Sequence, residues 1–141
     1  MVKLQTKKLK EHNRRFEFDE VINISKQDIK VLDNSVFVGS WNYIKPNMKP
    51  NKDGEIELVL QLCFGPLEWW KWSIDKQGRF WVEYKWCEND FYEDENFVEE
   101  CSQEKMIEKM QQMQNFFADC GLDEYVDAYE RAEQFVKQQQ R

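Results

Sequence analysis

The sequence predicts an α+β fold: a mainly antiparallel, twisted sheet of about five strands packed by two C-terminal helices. Period-two alternation of apolar and polar residues recurs through the middle of the chain, short turn signals separate the late runs, and two 3.6-period stripes follow as a block. Short connections between strands require antiparallel pairing, since a parallel return needs a long crossover. The chain of 141 residues suits one domain. It divides into a basic arm at 1–13, a sheet region at 15–86, an acidic segment at 87–101 and a helical hairpin at 102–138.

The strongest element is the hairpin from Trp69 to Trp86, WWKWSIDKQGRFWVEYKW, which carries five of the six tryptophans. Trp70, Trp72, Ile74, Phe80, Val82, Tyr84 and Trp86 hold the even positions, and the odd ones are mostly polar. Between the runs, Asp75 suits the first position of a type I turn and Gly78 the last.

Upstream, Phe16, Phe18, Ile22 and Ile24 alternate with polar residues and predict a first strand. Ser25 caps an expected short helix through SKQDIKVLDN, with Ile29 and Leu32 inward. The run from Val36 to Ile44 reads as one strand with a bulge at Gly39-Ser40. Pro46, Pro50 and Asp53-Gly54 make 45–54 a loop. Ile56, Leu58, Leu60, Leu62 and Phe64 then fill every even position of a strand expected at the centre of the sheet.

Downstream, Ser102 caps a helix whose Met106, Met110, Met113 and Phe117 form one stripe, read as core rather than as an adaptable groove. Gly121 ends it, and Asp123 caps a second helix striped by Tyr125, Val126, Tyr129, Ala132 and Val136.

Composition excludes several classes. Aromatics are 15% of the chain, so a mean hydropathy of −0.84 reflects a charged surface and not the lack of a core. No apolar run approaches the roughly 20 residues of a membrane helix, and the basic start MVKLQTKKLK runs into EHNRRFEF, so the expected compartment is the cytoplasm. Cys63, Cys87, Cys101 and Cys120 lack CxxC spacing and read as free thiols, neither disulfides nor zinc ligands.

No catalytic motif stands out. G-x-G-x-x-G, Walker A and H-E-x-x-H are absent, and His12, the only histidine, sits in the basic arm. The acidic segment has no glycine, which removes the EF-hand pattern. The expectation is therefore no enzyme, no cofactor and no metal.

Charge is concentrated. Residues 88–100 hold seven acids and no base, which leaves twenty acids against twenty bases elsewhere. In this segment Glu88, Asp90, Glu93, Asp94, Glu95, Glu99 and Glu100 surround Phe91, Tyr92 and Phe97. Clustered carboxylates attract a cationic surface and aromatics supply desolvated contact, so these ten residues are the candidate partner-binding site.

The reading is a small non-enzymatic cytoplasmic binding protein, monomer or dimer. It neutralises a basic protein partner, such as a toxin or a nucleic-acid-processing enzyme, in the manner of an immunity protein, antitoxin or phage-encoded inhibitor. No nucleic acid or membrane is expected as a partner. Two other readings stand beside it. One is a ligand-binding or enzymatic domain with a pocket between sheet and helices, lined by Trp70, Trp72, Tyr84 and Trp86. The other is a structural subunit using a free edge strand or the odd-face tryptophans; Trp69 and Trp81, with Trp41 and Tyr43, are read as core rather than as an exposed stacking platform.

Overall fold

Alternation through the middle of the chain becomes an antiparallel meander in which every strand pairs with its neighbour in sequence. The computed structural model describes residues 29–63, 67–87 and 95–139. Among these, seven strands run in the order β1 (Ile29–Val31), β2 (Ser35–Val38), β3 (Trp41–Ile44), β4 (Ile56–Cys63), β5 (Leu67–Ile74), β6 (Phe80–Cys87) and β7 (Glu95–Cys101). Helices α1 (Gln103–Asp119) and α2 (Asp123–Gln138) follow. The α+β class holds, with seven strands in place of about five.

Register sorts the side chains into two faces. One face carries the cross-strand rows Ile56–Ile74–Phe80–Cys101, Val59–Trp72–Val82–Glu99 and Gln61–Trp70–Tyr84–Phe97. Val36, Val38, Trp41 and Tyr43 extend it through β2 and β3. This face meets the helices and holds the core, in which Trp70 and Trp72 are each 1% exposed. The opposite face carries the rows Glu57–Ser73–Trp81–Glu100, Leu60–Lys71–Glu83–Val98 and Leu62–Trp69–Lys85–Asn96.

The hairpin forms as its alternation requires, with Ile74 paired to Phe80 across the turn. Gly78 donates to the Asp75 carbonyl at 3.0 Å and takes φ +82°, a conformation that disfavours a side chain.

Four expectations about individual strands are corrected. Gly39-Ser40 is not a bulge within one strand but the two-residue loop of a hairpin, because Val38 pairs with Trp41. Gly39 has φ +62° and Ser40 does not have positive φ, the pattern of a II′ turn. Ile29–Val31 is a strand paired to β2, not part of a helix; the register Ile29↔Val38 buries Ile29 against the core. The rest of that expected helix, and the strand expected over 15–24, lie outside the described residues.

The third correction concerns β4, which lies at the centre of the sheet as expected but does not keep its even positions on one face. Its pairing slips between Glu57 and Val59, so Leu58 is the extra residue of a bulge and both Leu58 and Val59 are fully buried. Beyond the bulge parity switches: Gln61 turns inward, while Leu60 and Leu62 share the far face with Lys71 and Trp69. Fourth, the segment taken as a single acidic stretch at 87–101 ends in β7, whose Phe97 is in the core.

The helices form where the stripes place them. The Ser102 hydroxyl accepts from the Lys105 N–H at 3.0 Å, the expected cap of α1. The helix ends in a Schellman motif: Leu122 N–H donates to Phe117 O and Gly121 N–H to Ala118 O, both at 3.0 Å. Asp123 is the first residue of α2 and not its cap, which is Leu122 without a side-chain bond.

The buried methionines face the sheet, as does an aromatic knot around Phe117. Its ring stacks on Tyr129 at 5.5 Å and meets Tyr43 edge-on at 5.4 Å and Tyr125 at 5.0 Å. Each such pair adds about 0.5–1.5 kcal/mol beyond burial. Two polar ties add to the packing, the first between helix and sheet and the second between the helices. Tyr129 donates to the Ile44 carbonyl at 2.9 Å, and the Gln103 amide donates to the carbonyls of Val136 and Gln139 at 2.8 and 2.9 Å.

Candidate functional site

On the sheet face away from the helices, β5, β6 and β7 with the residue before β4 line a hollow with a cavity volume of ≈ 270 Å³. It is lined by Glu55, Lys71, Ser73, Trp81, Glu83 and Val98, with Asp75 at its rim.

Three local devices set its charge. Lys71 on β5 donates to Glu55 at 2.8 Å and lies 3.8 Å from its cross-strand neighbour Glu83. Burial works against this ammonium, but the Glu55 hydrogen bond and the charges of Glu55, Glu83 and Glu57 outweigh it and raise its pKa. Asn51 organises the preceding loop: its side-chain oxygen accepts from the N–H groups of Asp53 and Glu55, and its amide donates to Glu57 at 3.0 Å.

Asp75 is the third device. Burial would raise its carboxyl, but the backbone N–H of Arg79, the Trp81 indole, the backbone N–H of Gln77 and the Arg79 guanidinium prevail and hold it at about 2. These donors lie 2.8–3.0 Å away. The same bonds pin Trp81, whose ring also takes the Arg79 guanidinium at 5.4 Å. Further along this face Lys85 lies over Trp69 at 5.1 Å.

A second polar group lies between the layers. Gln61, Glu68 and Lys109 are buried there, Tyr84 donates to Glu68 at 3.1 Å, and the Lys109 ammonium lies 5.7 Å from the Trp72 ring.

Nothing in either group has the form of a nucleophile beside a base. Cys101 and Cys120 are free thiols; burial, with Glu99 and Glu100 adding to it, pushes Cys101 up to about 12, and burial with Asp119 pushes Cys120 up to about 11. Neither is a thiolate at neutral pH. Among the described residues no group of three or more His, Cys, Asp or Glu side chains could hold a metal ion, and no helix is long and apolar enough to cross a membrane.

The ten residues read from sequence as the partner site are dispersed. Glu88, Asp90, Phe91, Tyr92, Glu93 and Asp94 lie outside the described residues. Glu95 opens β7 opposite Trp86. Phe97 is 0% exposed, packed against Tyr84 at 5.2 Å and Trp70 at 6.2 Å, so it is a core residue. Glu99 shares the helix-side face with Val82, whereas Glu100 pairs with Trp81 on the far face beside the hollow. Trp41 and Tyr43 are likewise core residues, which leaves Trp69 and Trp81, of these four, half-buried on the far face. Trp70, Trp72 and Tyr84, expected to line a pocket, are closed into the core.

The hollow was missed because its residues come from four separate stretches. One signal was present: Glu55, Glu57, Lys71 and Glu83 are odd-numbered charges flanking the two clearest strands.

Acidity also extends further than the segment before β7. Residues 88–139 carry fifteen acids against four bases, and the rest of the chain twelve against sixteen. Glu104, Glu108, Asp119, Asp123, Glu124, Asp127 and Glu130 are exposed on the two helices. No family model, no curated protein and no solved structure matches this chain.

Proposed function

We propose that this protein is a small non-enzymatic binding protein that neutralises a basic protein partner, in the manner of an immunity protein, antitoxin or inhibitor. The observation that carries this is the segregation of charge: fifteen acids against four bases in residues 88–139, seven of them exposed on α1 and α2. A one-signed surface raises the local concentration of an opposite-signed partner and speeds its docking. In this reading Glu93, Asp94 and Glu95 with Phe91 and Tyr92 make the contact, and the helical carboxylates extend its field.

Rigid support for such a surface comes from the core beneath it, since Phe117, Tyr129 and Met110 anchor the helices at 0% exposure. A preshaped surface loses little freedom on docking. The test is affinity capture from the native cell lysate with the full chain at low and high salt. A dominant basic protein released by salt is the expected result; recovery of none, or of a partner indifferent to salt, refutes the proposal.

A further inference from the structure

The two faces of the sheet are covered unequally. On the helix side Trp70, Trp72 and Tyr84 are closed off from solvent, whereas on the far side Leu60, Leu62, Trp69, Trp81 and Val98 are only half-buried, and both described helices lie across the sheet from them. With Ile44, the cross-strand neighbour of Leu60, these residues make one apolar surface that runs from β3 to β7. Such a face on a small protein marks a contact surface, and a second sheet packs on it at about 10 Å. Its aromatic anchors are already held: Asp75 accepts from the Trp81 indole at 2.9 Å, and Lys85 lies over Trp69 at 5.1 Å. Docking therefore costs them little freedom.

Charge selects the occupant. Within this face Lys71 is paired with Glu55 and Glu83, and Arg79 with Asp75, so these carboxylates are matched and offer a basic protein little. The exposed acids of α1 and α2 lie on the other side of the sheet, so two copies joined through their far faces keep those like charges apart. The face is also complementary to itself. The row Glu57–Ser73–Trp81–Glu100 lies on one side of the row Leu60–Lys71–Glu83–Val98, and the row Leu62–Trp69–Lys85–Asn96 on the other. A two-fold axis along the middle row sets Lys85 of each copy over Trp81 and Glu100 of the other. We infer that the far face of the sheet is the docking surface for a second copy of this chain, in a face-to-face dimer that leaves both acidic surfaces outward. This contact does not rest on the neutralising role. Strands about 4.8 Å apart and same-face rows about 7 Å apart give the patch on the order of 400 Å² in projection. That is less than the roughly 800 Å² a side of a tight complex, so the dimer exchanges with monomer at micromolar concentrations.

The test is sedimentation velocity of the full chain from about 5 to about 500 µM. The weight-average mass should rise from the 17.3 kDa of one chain towards twice that value. Val98→Arg should weaken the association at least about tenfold, the effect of a charge buried without a partner, while a retained cooperative melt shows that the variant is folded. Lys85→Glu and Glu100→Lys should each weaken the dimer, and the double variant should restore it. These two residues lie two rows apart within one chain, so the rescue reports a contact between copies. A chain that stays monomeric to about 500 µM, an association indifferent to Val98→Arg, or a charge exchange without rescue overturns the docking surface. Slow hydrogen exchange at the Trp69 indole in the dilute monomer overturns it as well, because residues 1–28 of the same chain would then be the occupant.

Discussion

Asp75 accepts the indole N–H of Trp81 at 2.9 Å, so the turn that closes the β5–β6 hairpin also fixes one wall of the hollow on the far face of the sheet. The same carboxylate takes both the backbone and side-chain N–H groups of Arg79. Turn geometry and site geometry are therefore one network.

Asp75→Asn removes the charge and turns one of the two accepting oxygens into an NH2 group that cannot accept from the donors facing it. Hydrogen bonds to a charged group are worth more than neutral ones, so the expected loss is about 1–2 kcal/mol of stability. Urea unfolding measures it, and an unchanged midpoint would contradict the assignment.

Acid should unfold the protein in a defined window. Asp75 is held at about 2, below its ordinary 3.8, and Glu133 is also lowered: burial opposes its charge, but Lys137, Gln114 and Gln111 outweigh burial. A carboxyl whose folded pKa lies below its unfolded one stabilises the fold fully above the unfolded value, and that contribution is lost as pH falls through the folded value. Melting temperature should therefore hold above about pH 5 and fall between about pH 4 and pH 2, less steeply in Asp75→Asn. Identical acid profiles for the two proteins would exclude Asp75 as a contributor.

Phe97 and Glu100 are close in sequence but sit on opposite faces of β7. Phe97→Ala leaves a cavity beside Tyr84 and Trp70 and should cost about 3–5 kcal/mol. Glu100→Gln, on the far face, should change stability by less than about 0.5 kcal/mol. Equal, small effects in thermal unfolding would mean that Phe97 is not part of the core.

Gly39 supplies the positive φ of the β2–β3 turn, and open space surrounds the position where a Cβ would stand. Gly39→Ala should therefore cost only the backbone strain, about 1–2 kcal/mol, with no added clash. Gly39→Asn should cost less than Gly39→Ala, since Asn tolerates this region better. A neutral Gly39→Ala variant would argue against a II′ turn.

Much of this architecture is legible in the residues, and the failures have physical reasons. The hairpin at 69–86 and both helices are legible because their apolar spacing and turn or cap residues agree. The strand pair across Gly39-Ser40 carries its own signal, since apolar parity shifts from Val36 and Val38 to Trp41 and Tyr43, a shift that one straight strand cannot make. The bulge at Leu58 leaves no such trace, because in LVLQL the three even-numbered leucines read as the inward face, whereas the register buries Val59 and the polar Gln61. Strand β7 reads as a charged loop because it lies at the end of the described sheet, where carboxylates remain compatible with pairing to β6 through the backbone. Of the partner site the sequence shows the charge but not its placement: Glu99 and Glu100 part to opposite faces only once the register is known.

The most direct test of an acidic surface that recruits a basic partner is the association rate of the captured partner, measured by stopped flow from low to high ionic strength. Electrostatic steering raises such rates by roughly 10–1,000-fold, so the rate should fall steeply with salt. Replacing Glu93, Asp94, Glu95, Asp123, Asp127 and Glu130 by their amides should slow association at low salt and flatten that slope. An association rate that ignores both salt and these six substitutions would contradict the proposal.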